Sequence, residues 1–182
     1  AEEEGTESGF TLIELMVVLL IMAILMAIAI PTFLGVKGSA QDRSAQSDLS
    51  NALISAKAYY SGGGSYTGTV AMVAALNSAE PELTFQAGAT ASIVHTIEVD
   101  VAADNQTILL VDWSQSGNCW ALEDNNSGAA EGAAFGAAPT GDKYLEWYSG
   151  TGGIGACTTT IAEGAHTADW SATYPSIAST AF

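Results

Sequence analysis

The stretch Gly9-Phe10-Thr11-Leu12-Ile13-Glu14, followed by the apolar run Leu15–Ile30 (LMVVLLIMAILMAIAI), decides the fold of this chain. From Phe10 to Leu34 the sequence has 25 residues and one charged side chain, Glu14. A helix of that length extends about 37 Å, which exceeds the roughly 30 Å of a membrane's hydrocarbon core. The sequence therefore predicts a transmembrane helix over 10–34 that carries a lone carboxylate near its start.

The rest of the chain indicates an acidic domain outside the membrane. After Leu34, 148 of the 182 residues remain, enough to build a hydrophobic core. Twenty acidic residues oppose four basic ones, giving a formal net charge of −16. Because nucleic acids are bound mainly by neutralising phosphates, we expect no direct nucleic-acid binding. Few charges and abundant small residues favour an extracytoplasmic, β-rich module over a cytosolic enzyme.

The residues before the apolar run indicate how the chain is processed. Residues 1–9 (AEEEGTESG) are acidic and are predicted to form the end of a leader peptide. An ordinary secretory signal is cut after its apolar stretch, whereas Gly9 precedes it, so a cut after Gly9 leaves the hydrophobic helix on the mature protein. The string from Gly9 to Glu14, the long apolar run and the following Pro31 together resemble the class III signal of the type IV pilin family. The resemblance covers residues 9 to about 62.

The resemblance implies processing at Gly9 and Phe10, and it assigns Glu14 and Pro31 to assembly. A prepilin peptidase would cut between Gly9 and Phe10, and the new N-terminal Phe10 would be methylated on its amine. Glu14 would pair in the filament with the Phe10 amine of a neighbouring subunit. An unpaired charge among packed helices is costly, so this pair would set the register of the helices. The alternative is that Glu14 is an interfacial acid favoured by the positive end of its own helix.

Pro31 and the residues after it predict a helix that is kinked or locally melted and then resumes, because proline removes a backbone donor and clashes with the preceding turn. Residues 35–62 form the resumed, amphipathic half. Its apolar face has helical spacing and its other face is polar and expected to meet solvent. The apolar face comprises Leu49, Leu53, Ala56 and Tyr60, and the polar face comprises Gln41, Asp42, Ser44, Asp48 and Ser55.

The remaining sequence predicts a loop and then an antiparallel sheet. Residues 63–90 connect helix to sheet and include a candidate short helix at 70–76. Residues 91–182 contain β-rich runs between turn signals. The strands are expected at 93–100, 107–113, 118–123 and 143–148, with a further candidate at 157–161. The expected class is α+β, with a long N-terminal apolar helix packed on a sheet of about four strands.

Two cysteines, Cys119 and Cys157, favour one structural disulfide in an exported chain. A metal-binding or redox pair is the alternative, although neither cysteine has a neighbour at ligand spacing. In the pilin family a disulfide bounds the C-terminal D-region, and the resemblance implies the same region here.

The sequence shows no catalytic constellation, and we expect neither an enzyme nor a cofactor or metal. Four acids near strand ends lack the spacing of a Ca²⁺ loop and are expected to be solvated: Asp100, Asp104, Asp112 and Asp124. His95 is expected within the first strand, and His166 is isolated. Asn105 and Asn125 each begin an Asn-x-Ser/Thr pattern and are candidate glycosylation sites.

These features favour a major structural subunit of a type IV pilus, a homopolymer packed through its N-terminal helices. Its partners would be the membrane before assembly, the prepilin peptidase and the pilus assembly machinery. It would lie first in the inner (cytoplasmic) membrane and then in an extracellular filament, or fimbrium. A pseudopilin or minor pilin of a type II secretion or competence apparatus is the first alternative. A monomeric, membrane-anchored binding domain such as an adhesin is the second.

Overall fold

The computed structural model describes residues 9–88, 93–127, 141–148 and 157–159, with 143–148 described by their backbone. The chain divides into two compact units, Ala1–Lys37 and Gly38–Phe182. Helix α1 (Leu12–Gly63) begins in the first unit and ends in the second, and a shorter helix, α2 (Thr69–Ala79), follows it.

Helix α1 runs through Pro31 without a melted segment, so the predicted resumption is confirmed and local melting is wrong. The hydroxyl of Thr32 donates to the carbonyl oxygens of Ile28 (2.7 Å) and Ala29 (3.2 Å) in the turn that precedes the proline. Such hydroxyl contacts help apolar helices tolerate proline, because they supply donors to nearby backbone carbonyls.

The second unit contains a five-stranded sheet in the order β1-β2-β3-β4-β5. Strands β2 to β5 form an antiparallel meander, while β1 pairs with β2 in parallel. The strands are β1 (Phe85–Ala87), β2 (Ile97–Val101), β3 (Thr107–Trp113), β4 (Asn118–Asn125) and β5 (Gly141–Tyr148). The predicted α+β class is confirmed, with β1 as an additional edge strand.

Alternation along the strands divides the core into two layers. One sheet face packs against the second half of α1 and against α2, and its buried residues include Leu49, Ala52, Leu53, Ala56, Ile108, Leu110, Trp120 and Leu122. The opposite face carries a smaller cluster of Ala102, Leu109, Val111, Cys119, Ala121 and Cys157. The predicted apolar face of α1 is therefore the face that is buried, with Tyr60 partly buried beside it.

Two predictions about this unit are wrong. Strand β2 begins at Ile97, and His95 lies in the preceding turn, because His95 adopts a left-handed φ of 63° and Thr96 N–H bonds to the Ile93 carbonyl oxygen at 3.1 Å. Asp42 does not lie on a solvent face; it is 3% exposed beneath the turn that joins β3 to β4.

Candidate processing and assembly site

Thr11 and Glu14 cap the N-terminus of α1. The carboxylate oxygen Oε2 of Glu14 accepts hydrogen bonds from the Thr11 backbone N–H at 2.8 Å and from its hydroxyl at 2.7 Å. In return the Glu14 backbone N–H lies 3.4 Å from the Thr11 hydroxyl oxygen. This reciprocal pattern is a capping box, in which two otherwise unpaired donors are satisfied at once. Our sequence reading missed it, although the Thr-x-x-Glu spacing just before an apolar run is its signal.

The Gly9–Phe10 peptide bond precedes the helix. Residues 9–11 have no regular secondary structure, and the Phe10 side chain is 86% exposed. A peptidase must bind its substrate in an unwound conformation, so the fold leaves this bond approachable. Cleavage there and methylation of Phe10 stay predictions.

The first half of α1 presents its apolar side chains outward. The large hydrophobic side chains of residues 10–36 are at least 49% exposed, from Phe10 through Val36. Among the described residues, α1 is the one helix whose length and composition suit a membrane span. Leaving so much apolar surface in water is unfavourable, so this half requires lipid or other helices as its surroundings.

Asp42 fastens α1 to the turn between β3 and β4. Its carboxylate accepts hydrogen bonds from the Ser116 hydroxyl, from Asn118 Nδ2 at 3.1 Å and from Trp120 Nε1 at 3.4 Å. Nearby, Gln41 Nε2 donates to Gln115 Oε1 at 2.8 Å. Among the described residues, all the hydrogen-bond donors to Asp42 are neutral groups. Their positions therefore fix where the Asp42 side chain, and with it this part of α1, lies against the turn.

A second polar cluster fastens α1 to the far end of β4. Lys57 Nζ lies 2.5 Å from Asp142 Oδ1 and 3.5 Å from Asp124 Oδ1, and the Tyr66 hydroxyl donates to Asp124. Desolvation disfavours the charged lysine, but the bond to Asp142 and both carboxylate charges raise the net pKa of Lys57. Burial, then the bond to Asp124, raises the pKa of Tyr66. These two clusters therefore fasten α1 near both ends of β4.

The expectation of solvated strand-end acids is wrong for two of the four. Asp112 is 1% exposed and Asp124 is 2% exposed, both on the sheet face that meets α1. Asp124 is ion-paired, as described above. In the part of the chain that the structure describes, no group of three or more His, Cys, Asp or Glu side chains could hold a metal ion.

The disulfide Cys119–Cys157 is present, which confirms the favoured pairing over a metal or redox role. It holds residues 157–159 against the sheet face opposite α1. There the Thr159 N–H donates to Glu98 Oε2 at 3.2 Å, and Thr159 packs directly on Gly88. The candidate strand at 157–161 is not formed over 157–159, and residues 160–161 lie outside the described part.

The two glycosylation candidates differ in exposure. Asn105 lies in the turn before β3 with a φ of 58° and is partly exposed. Asn125 is 3% exposed in β4, and its Oδ1 accepts hydrogen bonds from the Ser127 N–H at 3.0 Å and hydroxyl at 2.7 Å. This placement argues against modification of Asn125 in the folded protein. His166 lies outside the described residues.

The comparisons with known proteins identify the N-terminal segment. Residues 6–30 match the family model of the prokaryotic N-terminal methylation motif. This match, which covers a small part of the chain, supports a type IV pilin-like class III signal and processing by a prepilin peptidase. Together with the exposed apolar helix, it supports membrane anchoring before assembly. Neither the curated proteins nor the solved structures contain a match to this chain.

Proposed function

We propose that this chain is the structural subunit of an extracellular type IV pilus filament. The observation that supports the proposal is the exposed apolar half of α1, which lies largely within the matched methylation motif and has Glu14 at its start. In a filament these helices pack against one another and the sheet domains face outward. The proposal assigns the chain no catalytic activity, cofactor or metal.

Glu14 is proposed to act between subunits. In the uncleaved chain its Oε2 is engaged by Thr11, and its Oε1 accepts no hydrogen bond from any residue in the described ranges. A neighbour's Phe10 amine, set free by cleavage after Gly9, supplies a cation for that oxygen. Desolvation among packed helices strengthens such a pair and penalises any register that leaves the charge alone.

Two variants separate this role from helix capping. Glu14→Gln preserves the capping geometry, because glutamine also serves in capping boxes, but it removes the negative charge. Thr11→Ala removes the cap and keeps the charge. We expect Glu14→Gln subunits to be processed and membrane-inserted yet absent from sheared filaments, whereas Thr11→Ala subunits still assemble.

The opposite pattern, with Glu14→Gln filaments at wild-type yield, would show that Glu14 acts only as a cap. A pseudopilin carries the same type of signal, so the location of the wild-type chain must also be measured. The proposal requires long surface filaments that are composed mainly of this chain. Its recovery only in the membrane, or only in trace amounts within filaments of another subunit, would overturn the major-pilin assignment.

A further inference from the structure

Asp112 is a buried acid that forms no ion pair with any residue in the described ranges. It lies on β3, on the α1-facing side of the sheet, opposite Trp120 in the β3–β4 register. The Trp113 backbone N–H partly offsets the rise in the pKa of Asp112, but Oδ1 has no hydrogen-bond partner among the described residues. At 1% exposure this oxygen is cut off from bulk water as well. Such an atom is expensive to bury when it carries charge.

A second carboxyl group, that of Asp48, acts electrostatically on Asp112. It lies on α1 next to the fully buried Leu49 and is itself partly buried. Burial first, and then the negative charge of Asp48, raises the pKa of Asp112 to about 7. Burial also raises the pKa of Asp48, while His95 lowers it. Asp112 is thus a buried acid on the α1-facing side of the sheet, with an oxygen that lacks a hydrogen-bond partner among the described residues, and the charge of an α1 carboxylate acts on it.

The surroundings offer these acids little compensation. Both ion pairs among the described residues belong to Lys57, at the far end of β4. On α1 the buried Asp42 is engaged by Ser116, Asn118 and Trp120 and supplies no cation. From the turn before β2 the exposed His95 acts electrostatically on Asp48, and on β5 the backbone of Glu146 is in register with Trp120.

We propose that Asp48 and Asp112 form a proton-dependent latch that holds α1 on β3. When the pair holds a proton, one neutral carboxyl group lies in the boundary and α1 docks tightly. When that proton leaves, Asp112 is charged while buried and feels the charge of Asp48. No cation in the described ranges forms an ion pair with either acid, and the docking weakens. The latch concerns the second unit alone and does not depend on the proposed function.

The direction of the pH effect follows from linkage. The folded-state pKa of Asp112, about 7, lies above its ordinary value of 3.8. Between those values the folded chain binds the proton more tightly than the unfolded chain, so stability falls as pH rises through this window. The difference between these two pKa values corresponds to a decrease of roughly a thousand-fold in the ratio of folded to unfolded protein by pH 8.

Thermal unfolding of the full chain in detergent micelles, measured from pH 4 to pH 8.5, tests the latch. We expect the wild-type Tm to fall with rising pH and the Tm of Asp112→Asn to change much less. Asp48→Asn should give an intermediate slope, because burial of Asp112 remains. Glu82→Gln is the matched control: it removes one exposed charge and should keep the wild-type slope.

Parallel pH profiles for the wild type and Asp112→Asn would overturn the proposal. If that variant does not fold, the pH titration of the aspartate carboxyl carbons in the wild-type protein, followed by NMR, tests the proposal instead. One buried carboxyl group must then titrate with a midpoint near 7, and Asp48→Asn must lower that midpoint. A set of aspartates that all titrate below pH 5 would refute the latch.

Discussion

Replacing Asp42 with alanine should loosen α1 from the turn between β3 and β4. The change removes the carboxylate that accepts two shorter hydrogen bonds, from Ser116 and Asn118, and a longer hydrogen bond from Trp120. Hydrogen bonds to a charged group each contribute about 1.5–3 kcal/mol. The carboxylate no longer needs to be desolvated, which offsets part of that sum. We therefore expect a net loss of about 3 kcal/mol in the free energy of unfolding.

The assay is thermal or urea unfolding of the full chain in detergent micelles. For a domain of this size, 3 kcal/mol corresponds to a fall in Tm of roughly 9 °C. Asp42→Asn retains an acceptor oxygen and should lose about half as much. Ser44→Ala, an exposed change on the same helix, should alter stability by no more than about 0.5 kcal/mol. If Asp42→Ala matched Ser44→Ala, the claim that this buried network fastens the helix would be refuted.

Two further predictions concern the segment that the disulfide holds. The double variant Cys119→Ser/Cys157→Ser removes the disulfide between residues 38 positions apart and should lower the free energy of unfolding by about 4 kcal/mol. A reductant should lower the denaturant midpoint of the wild type but not that of this variant. In Gly88→Ala the new methyl group would stand 2.1 Å from the Thr159 hydroxyl oxygen, so we expect a loss of about 1–3 kcal/mol in the same assay. Gly62→Ala, where the added methyl group meets no atom within 4 Å and the residue lies inside α1, is the control, and equal losses in both variants would contradict this reasoning.

Apolar patterning carried most of the fold prediction. The run from Leu15 to Ile30 and the helical spacing of Leu49, Leu53 and Ala56 indicated the two halves of α1. The β-rich runs indicated four of the five strands, because half-buried strands need alternating or continuous apolar side chains. The three-residue β1 was missed because a strand so short has no period to detect.

Polar residues were harder to place from sequence. Asp42, Asp112 and Asp124 read as ordinary surface acids, yet each is at least 97% buried. Partners distant in sequence decide their positions: Asp42 meets Trp120 across 78 residues and Tyr66 meets Asp124 across 58. The order of charged residues along the sequence does not predict contacts between residues so far apart. The capping box of Thr11 and Glu14, by contrast, was missed although its Thr-x-x-Glu spacing is local and visible in the sequence.

The intact mass of the chain recovered from purified surface filaments tests the central claim most directly. The account predicts a subunit that begins at Phe10, carries one added methyl group on its N-terminal amine and retains the Cys119–Cys157 disulfide. The same chain should account for most of the filament's mass. A filament-borne chain that retains residues 1–9, or filaments without this chain, would contradict the account.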